Sequence, residues 1–311
     1  MKIKFSKMNG LGNDFIMIDD MSHNIELDEK QVKWLCDRHF GIGADGVILV
    51  RPSKRFECSA YMHYINSDGT LAQMCGNGVR CFTKFLVDNN IVDANSCELI
   101  ADTMAGPKPI SFKRSPDGKM EMATVQMGQP ILDPKAIPVD ASTDSISATG
   151  EPFIGYMNLA SPWGDFSFAC VSMGNPHAIC FIDDWTALPD DAFVDPTNKS
   201  LSNFDVDKIG KYFESHAVFP EKSNIEFAEI SSDAINMRVY ERGCAETLAC
   251  GTGACAVNVA AVLTKNAPRE NDIRLLGGVL HINWQNDGIV AMTGPAEESY
   301  VGEVDLEIYD K

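Results

Sequence analysis

Basic residues are scarce in this chain: 26 Lys and Arg stand against 44 Asp and Glu in 311 residues, for a formal net charge of −18. So acidic a surface repels phosphate backbones and argues against nucleic acid as a partner. Any small anion must then be held by local donors, because the overall field opposes it. Long apolar runs are missing as well. No stretch of 18 or more apolar residues occurs, which excludes a helical membrane span, and the opening MKIKFSKMNGLGNDF has no apolar segment of secretory-signal length. The expectation is a cytoplasmic protein whose ten cysteines stay reduced. C-x-x-C pairs are absent, and the spacings Cys75/Cys81 and Cys250/Cys255 do not suit zinc, so no metal is expected. Most of these cysteines read as small buried hydrophobes.

What is present is a motif that occurs twice: Cys75-Gly76-Asn77-Gly78 and Cys250-Gly251-Thr252-Gly253. Each copy precedes an apolar helical segment. Tyr64 and Asn66 stand upstream of the first, and Tyr240 and Glu241 stand upstream of the second. Self-similarity of this kind points to a duplicated half. A length of 311 residues with 45% apolar content suits two globular domains.

Local signals along the chain support that division. Residues 2–7 and 15–19 read as strands, with Gly10 and Gly12 at the turn. Asp28 caps a helix carrying Val32, Leu35, Cys36 and Phe40 at helical spacing. Gly41-Ile42-Gly43-Ala44-Asp45-Gly46 matches the G-x-G-x-x-G fingerprint, but it follows a helix and opens a strand, the reverse of the dinucleotide arrangement, so nucleotide binding is rejected. Residues 58–65 form a strand before the first motif, and Ser115-Pro116-Asp117-Gly118 turns a hairpin. Residues from about 139 to 168, rich in Ser, Asp, Gly and Pro, read as a long loop excursion. A short amphipathic helix over 205–213 and strands over 224–230 and 235–241 follow, and these deliver Glu241-Arg242 to the second motif. The helices after both motifs are apolar around most of their circumference and should be enclosed. The expected fold is α+β, in two pseudo-symmetric domains. Each would be a mixed, largely antiparallel sheet wrapped around a buried central helix, with the active site in the cleft between them. Residues 1–130 with a returning segment 297–311 make the first half, and 131–296 the second.

A glycine after the cysteine lets backbone approach a ligand closely, and a helix N-terminus offers unpaired N–H groups and a positive dipole end. A thiol placed there should ionise more readily. Two such sites facing each other would hold one carboxylate with a thiol on either face of its α-carbon. One thiolate could then remove the α-proton while the opposite thiol returns a proton, with converging N–H groups stabilising the charge that develops on the carboxylate.

Several segments carry a family resemblance: FSKMNGLGNDF, HFGIGADG, INSDGTLAQMCGNGVRCF, VSMGNPH, FPEKSNIEF, YERGCAETLACGTGACA and MTGPAE. In this order, and over nearly the whole chain, the sequence resembles the diaminopimelate epimerases, isomerases that work without pyridoxal phosphate. The resemblance implies interconversion of L,L- and meso-diaminopimelate in lysine and peptidoglycan-precursor synthesis, with no cofactor. It implies Cys75 and Cys250 as the two catalytic bases, with His177 and Glu241 beside them. Asn13, Asn66, Gly76, Asn77, Asn175, Asn224, Glu241, Arg242, Gly251 and Thr252 would bind substrate. Arg242 would grip the distal carboxylate with its planar fork, and Glu241 would pair with an ammonium. It also implies a homodimer with Tyr300 at the interface.

Three positions depart from the family. Gly46 stands where some members have a substrate-touching glutamine, Ala245 stands where glycine is common, and the 139–168 stretch is long. Two other functions compete. A related two-cysteine racemase for another amino acid, such as a histidine or proline derivative, would leave the Arg242 guanidinium without a distal carboxylate. A binding module that only cradles a dicarboxylate would not need its cysteines.

Overall fold

The computed structural model describes residues 1–72 and 74–307. Gln73, just before the first motif, and the last four residues of the expected 297–311 segment lie outside the described residues. The chain is a mixed α/β protein dominated by strands. It divides into two compact units, Met1–Gln126 with Thr293–Lys311, and Met127–Met292.

The first unit contains β1 (Lys2–Gly10), β2 (Asn13–Asp19), α1 (Glu29–Cys36), β3 (Gly46–Arg51), β4 (Ala60–Asn66), α2 (Gly76–Asp88), β5 (Glu98–Asp102), β6 (Lys108–Arg114) and β7 (Met120–Gly128), the last of which holds the unit boundary. Pairing runs antiparallel from β1 to β2, parallel to β3, antiparallel to β4, parallel to β5, then antiparallel through β6 and β7. Parallel neighbours need a crossover, and the two here carry α1 and α2. The central strand GVILVR is buried at every position because both of its faces are covered. Val47 and Leu49 pack with Val32 and Leu35 of α1, while Ile48 lies against Gly78 of α2.

A capping box starts α1: Asp28 accepts from the Gln31 N–H at 2.8 Å, and the Gln31 side chain accepts from the Asp28 N–H at 3.0 Å. The helix does not reach Phe40, which is 82% exposed, contrary to the helical spacing read from the sequence. The reason is local. The Asp37 carboxylate takes the N–H groups of both His39 and Phe40, and the chain folds back so tightly that a Cβ at Gly41 would lie 1.8 Å from the Trp34 carbonyl oxygen.

In α2, Val79, Cys81, Phe82, Phe85, Leu86 and Val87 are all buried, as the apolar circumference requires, and so are Asn77, Arg80 and Thr83. The helix packs on β1, β2, β3 and β5. Buried Arg80 donates to the carbonyls of Gly76 and Pro295 at 3.2 and 3.0 Å.

The second unit continues with β8 (Ser145–Ile146), β9 (Pro152–Phe153), β10 (Met157–Ser161), β11 (Gly164–Ser172), β12 (Pro176–Phe181), α3 (Val206–Glu214), β13 (Asn224–Ile230), β14 (Ile235–Glu241), β15 (Ala245–Thr247), α4 (Gly251–Lys265), β16 (Glu270–Leu275), β17 (Gly278–Trp284) and β18 (Val290–Pro295), the last of which crosses back over the unit boundary. Its β11 pairs antiparallel with β12, β12 parallel with β13, β13 antiparallel with β14, β14 parallel with β16, and β16 antiparallel with β17. This is the same series that joins β1 to β6, with α3 and α4 on the two crossovers. The helix α4 is enclosed as expected and packs on β11, β12, β13, β14, β16 and β17. Strand β19 (Glu297–Asp305) then returns to the first unit and pairs antiparallel with β1, Lys2 opposite Asp305. No helix among the described residues is long and apolar enough to cross a membrane.

The stretch 139–168 is not the surface loop that its composition implied. It contains β8, β9, β10 and the start of β11, and its Val139, Ile154, Leu159, Trp163, Phe166 and Phe168 belong to the main hydrophobic cluster of the second unit. Single apolar residues spaced among turns bury themselves here without a long periodic run. Phe166 meets the rings of Phe213 and Phe227 edge-on, with centroids 5.2 and 6.1 Å away. We expect Phe166→Ala to cost about 3–5 kcal/mol in a urea denaturation experiment. A loss within about 0.5 kcal/mol, as for a surface site, would contradict this placement.

Candidate functional site

In each unit the predicted residues gather where a sheet meets the start of the buried helix. In the first, Asn13 opens β2 while Gly46 opens β3 opposite Asn66 at the end of β4. Cys75 is the N-cap of α2, in extended conformation. Its Sγ lies 3.5 Å from Asn13 Oδ1, which also accepts from the Asn77 amide at 3.2 Å. The orientation of Asn13 has a cause that the sequence did not disclose. Its Nδ2 donates to Asp45 at 2.6 Å, and a carboxylate can only accept, so Oδ1 must face Cys75. Asp45 is held in turn by Arg38 at 2.8 Å. Arg38 also forks onto Asp14, which pairs with buried Lys7 at 2.6 Å. Burial pushes the Asp14 carboxyl up, but hydrogen bonds and charge from Arg38 and Lys7 hold it below the usual carboxylate range.

The G-x-G-x-x-G segment therefore contributes Asp45 to this cluster. Gly46 has no room for a side chain, since a Cβ would lie 2.5 Å from the Tyr64 ring and 2.6 Å from the Ile65 carbonyl. The Asn66 side-chain amide donates to the Thr70 hydroxyl at 3.0 Å.

The second unit repeats the arrangement around α4, with Cys250 as its N-cap. The Cys250 sulfur accepts from the Gly253 N–H at 3.4 Å and lies 3.5 Å from the Thr252 hydroxyl. Asn175 precedes β12, on which His177 is fully buried. The ring's Nδ1 lies 2.6 Å from Glu226 and its Nε2 lies 3.2 Å from Asn175 Oδ1. Asn224 donates to the Pro176 carbonyl at 2.7 Å and accepts from the Arg242 backbone N–H at 2.9 Å. The exposed Arg242 side chain rests on the Glu221 carbonyl at 3.0 Å, and Glu241 accepts from the Thr247 hydroxyl. Ala245 adopts φ +62, a left-handed conformation that glycine takes without strain. That accounts for the family's usual residue there.

Burial corrects one expectation. Rather than being made acidic by the helix terminus, the Cys250 thiol is pushed well above its ordinary value, chiefly by desolvation and further by the nearby Glu241 and Glu226 charges. Thr252 and the Gly253 N–H pull the other way without prevailing. Burial therefore favours the thiol form of Cys250. Glu226 went unnoticed in the sequence because an Asn-Ile-Glu-Phe strand reads as ordinary alternation. Tyr300, on β19, is 48% exposed and meets Phe5 edge-on.

Against known proteins, the family model described as diaminopimelate epimerase matches residues 5–132 and 169–298. The interval between these matches contains the whole 139–168 segment. A diaminopimelate epimerase of Leptospira biflexa is 42% identical over 307 residues, spanning 98% of this chain and 100% of the relative. One of Methanococcus maripaludis is 41% identical over 306 residues, with the same coverage. Among solved structures, a hydroxyproline epimerase from Agrobacterium vitis superposes with a TM-score of 0.68 at 15% identity, covering 97% of this chain and 92% of that one. A probable proline racemase from Agrobacterium radiobacter gives 0.68 at 16% identity over 99% and 94%. At such identities these two share the fold alone. With whole-length relatives above 40% identity and a family model covering most of its residues, the chain belongs to the diaminopimelate epimerase family.

Proposed function

We propose that this protein interconverts L,L- and meso-diaminopimelate by a two-base reaction in which Cys75 and Cys250 act on opposite faces of one α-carbon. The observation that carries this reading is the pair of cysteines that N-cap the two buried helices, in units whose strands are joined by one and the same series of pairings. That recurrence supports two pseudo-symmetric halves, each supplying one thiol. A thiolate removes the α-proton, the electron pair moves onto the carboxylate, and the opposite thiol returns a proton to the other face. No external redox partner is needed.

The N–H groups at Gly76, Asn77, Gly251 and Thr252 take the developing negative charge, where helix ends and closely approaching backbone favour it. In the L,L-to-meso or reverse direction, the cysteine that begins as thiol ends as thiolate, so each turnover leaves the pair poised for the opposite direction. The buried, acid-facing surroundings of Cys250 suit it to start as the proton donor. Arg242 would exchange the Glu221 carbonyl for the distal carboxylate, and Glu241 would pair with an ammonium. Asn13, Asn66, Asn175 and Asn224 would complete the polar lining, with His177 beside the second cysteine. A substrate lacking a distal carboxylate would leave Arg242 unmatched, which favours diaminopimelate over a cyclic amino acid. By the same family likeness, Tyr300 on β19 is assigned to a homodimer interface.

In deuterated water, L,L-diaminopimelate should become meso product carrying one deuterium at the inverted carbon. Inversion without label would exclude exchange through a solvent-derived proton. Cys75→Ala and Cys250→Ala should each lower kcat by at least about 10³-fold, the loss expected when one of two essential proton-transfer groups disappears. Wild-type binding and turnover in either variant would make the chain a cradle and not a catalyst. In limiting iodoacetamide near neutral pH, exposed Cys97 and Cys244 should be labelled before Cys250, whose rate should keep climbing as pH passes the ordinary thiol range. Mass spectrometry that finds Cys250 labelled first would show a resting thiolate there.

A further inference from the structure

Beneath the N-terminus of α4 lies a carboxylate that the two-base scheme does not use. Glu226, on β13, is fully buried, and its Oε1 sits 2.6 Å from Nδ1 of equally buried His177 on the parallel neighbour β12. Its Oε2 has no hydrogen-bond partner. A buried carboxylate costs several kcal/mol unless it is well paired, so its retention beside the site calls for a reason.

The geometry limits what the pair can be. Asn175 offers its carbonyl oxygen to Nε2 at 3.2 Å, so Nε2 carries its hydrogen. A single further proton then occupies the short Nδ1···Oε1 bond. It sits either on the ring, as an imidazolium–carboxylate pair, or on the acid, as a neutral pair. The dyad has zero net charge in both forms, and the ring is held in the same place by both. Burial favours the protonated acid while His177 opposes it. The remaining titratable groups that face Glu226 are Glu241 of β14, Cys250 at the start of α4 and Cys170 of β11. Glycine at 253 is what admits the carboxylate: a Cβ there would meet Glu226 Oε1 at 2.8 Å and the Cys250 sulfur at 3.3 Å. The second glycine of the motif thus seats an acid and a thiol against one point of backbone.

We propose that Glu226 is a positioning residue for the epimerisation. Through Nδ1 it locks the His177 ring with Nε2–H turned to Asn175, and so sets the buried wall on which Cys250 and Asn175 are aligned. The proposal rests on the two-base reading, but the ring geometry can be measured without turnover. With histidine-selective ¹⁵N labelling of the full chain, His177 Nε2 should show a protonated-nitrogen shift and a slowly exchanging hydrogen from about pH 6 to pH 8. A bare Nε2 in the wild type would overturn the proposal even if activity matched every expectation.

In E226L, kcat should fall about 100-fold, the scale of a misplaced group near the chemistry. KM should stay within about threefold, and the Nε2 hydrogen should be lost to fast exchange. E226Q should recover to within about fivefold of wild type, because its amide N–H can donate to Nδ1 and keep the ring in place. Wild-type kcat in E226L, or a slow E226L whose His177 resonances are unchanged, would refute positioning through the ring. If E226Q is as slow as E226L, the carboxylate's charge rather than its hold on His177 is what matters. Should E226L fail to fold, the wild-type resonances and E226Q still decide. Should the wild type not act on diaminopimelate at all, the functional reading fails while the resonance test of the ring stands.

Discussion

Much of this molecule follows from how closely two helices can press their first turns onto their own sheets. A helix normally keeps its neighbours at the distance set by its side chains. At Gly78 a Cβ would sit 3.0–3.3 Å from Met62, Ile48 and Phe15, and at Gly253 it would meet Glu226 and the N-cap cysteine. The glycines therefore set how deep each helix start lies, and depth sets chemistry. A shallow terminus would offer its N–H groups to water, whereas a sunken one keeps them for whatever binds there. The same depth strips water from Cys250, and its cost appears as a raised thiol pKa. Helix-end polarity and desolvation act in opposite directions on one sulfur, and in the second unit desolvation wins.

The supporting residues differ between the two clusters in kind. Cys75 faces an acceptor, Asn13 Oδ1, whose direction is dictated by a chain of surface-linked charges through Asp45, Arg38 and Asp14. Cys250 faces donors, the Gly253 N–H and the Thr252 hydroxyl, above a dry pair of His177 and Glu226. A repeated motif has thus been given two electrostatic settings. At Cys250 the Gly253 N–H and the Thr252 hydroxyl favour a thiolate and compete with burial. This asymmetry is written in residues outside the motifs.

That division explains what could be read from the sequence. Strong local signals were legible. The Asp28 cap, the turn at 115–118, strands β13 and β14, and the two enclosed helices stand where periodicity and turn chemistry put them. Phe40 misled because its spacing from Cys36 is helical, while Asp37 and Gly41 together end the helix and reverse the chain. The 139–168 stretch misled because its apolar residues come singly, and only long-range packing against Phe213 and Phe227 reveals them as core. Among the candidate residues, the cysteines and glycines were visible through repetition. Asp45 and Glu226 were not, because each acts through a partner distant in sequence, Asn13 or His177, and no local pattern announces such a bond.

The pairing of β19 with β1 has a consequence for how the molecule comes into being. Lys2 lies opposite Asp305, so the ladder closing the first unit joins residues from the two ends of the described chain. Residues 127–292 form one uninterrupted stretch and can complete their unit as soon as it emerges from the ribosome. In the first unit β1 can pair with β2 early, but its other edge lacks a partner until β19 has been made. Closing so large a loop is entropically slow. One edge of β1 thus stays unsealed while the second unit is being made, and in that interval it is open to wrong strand partners.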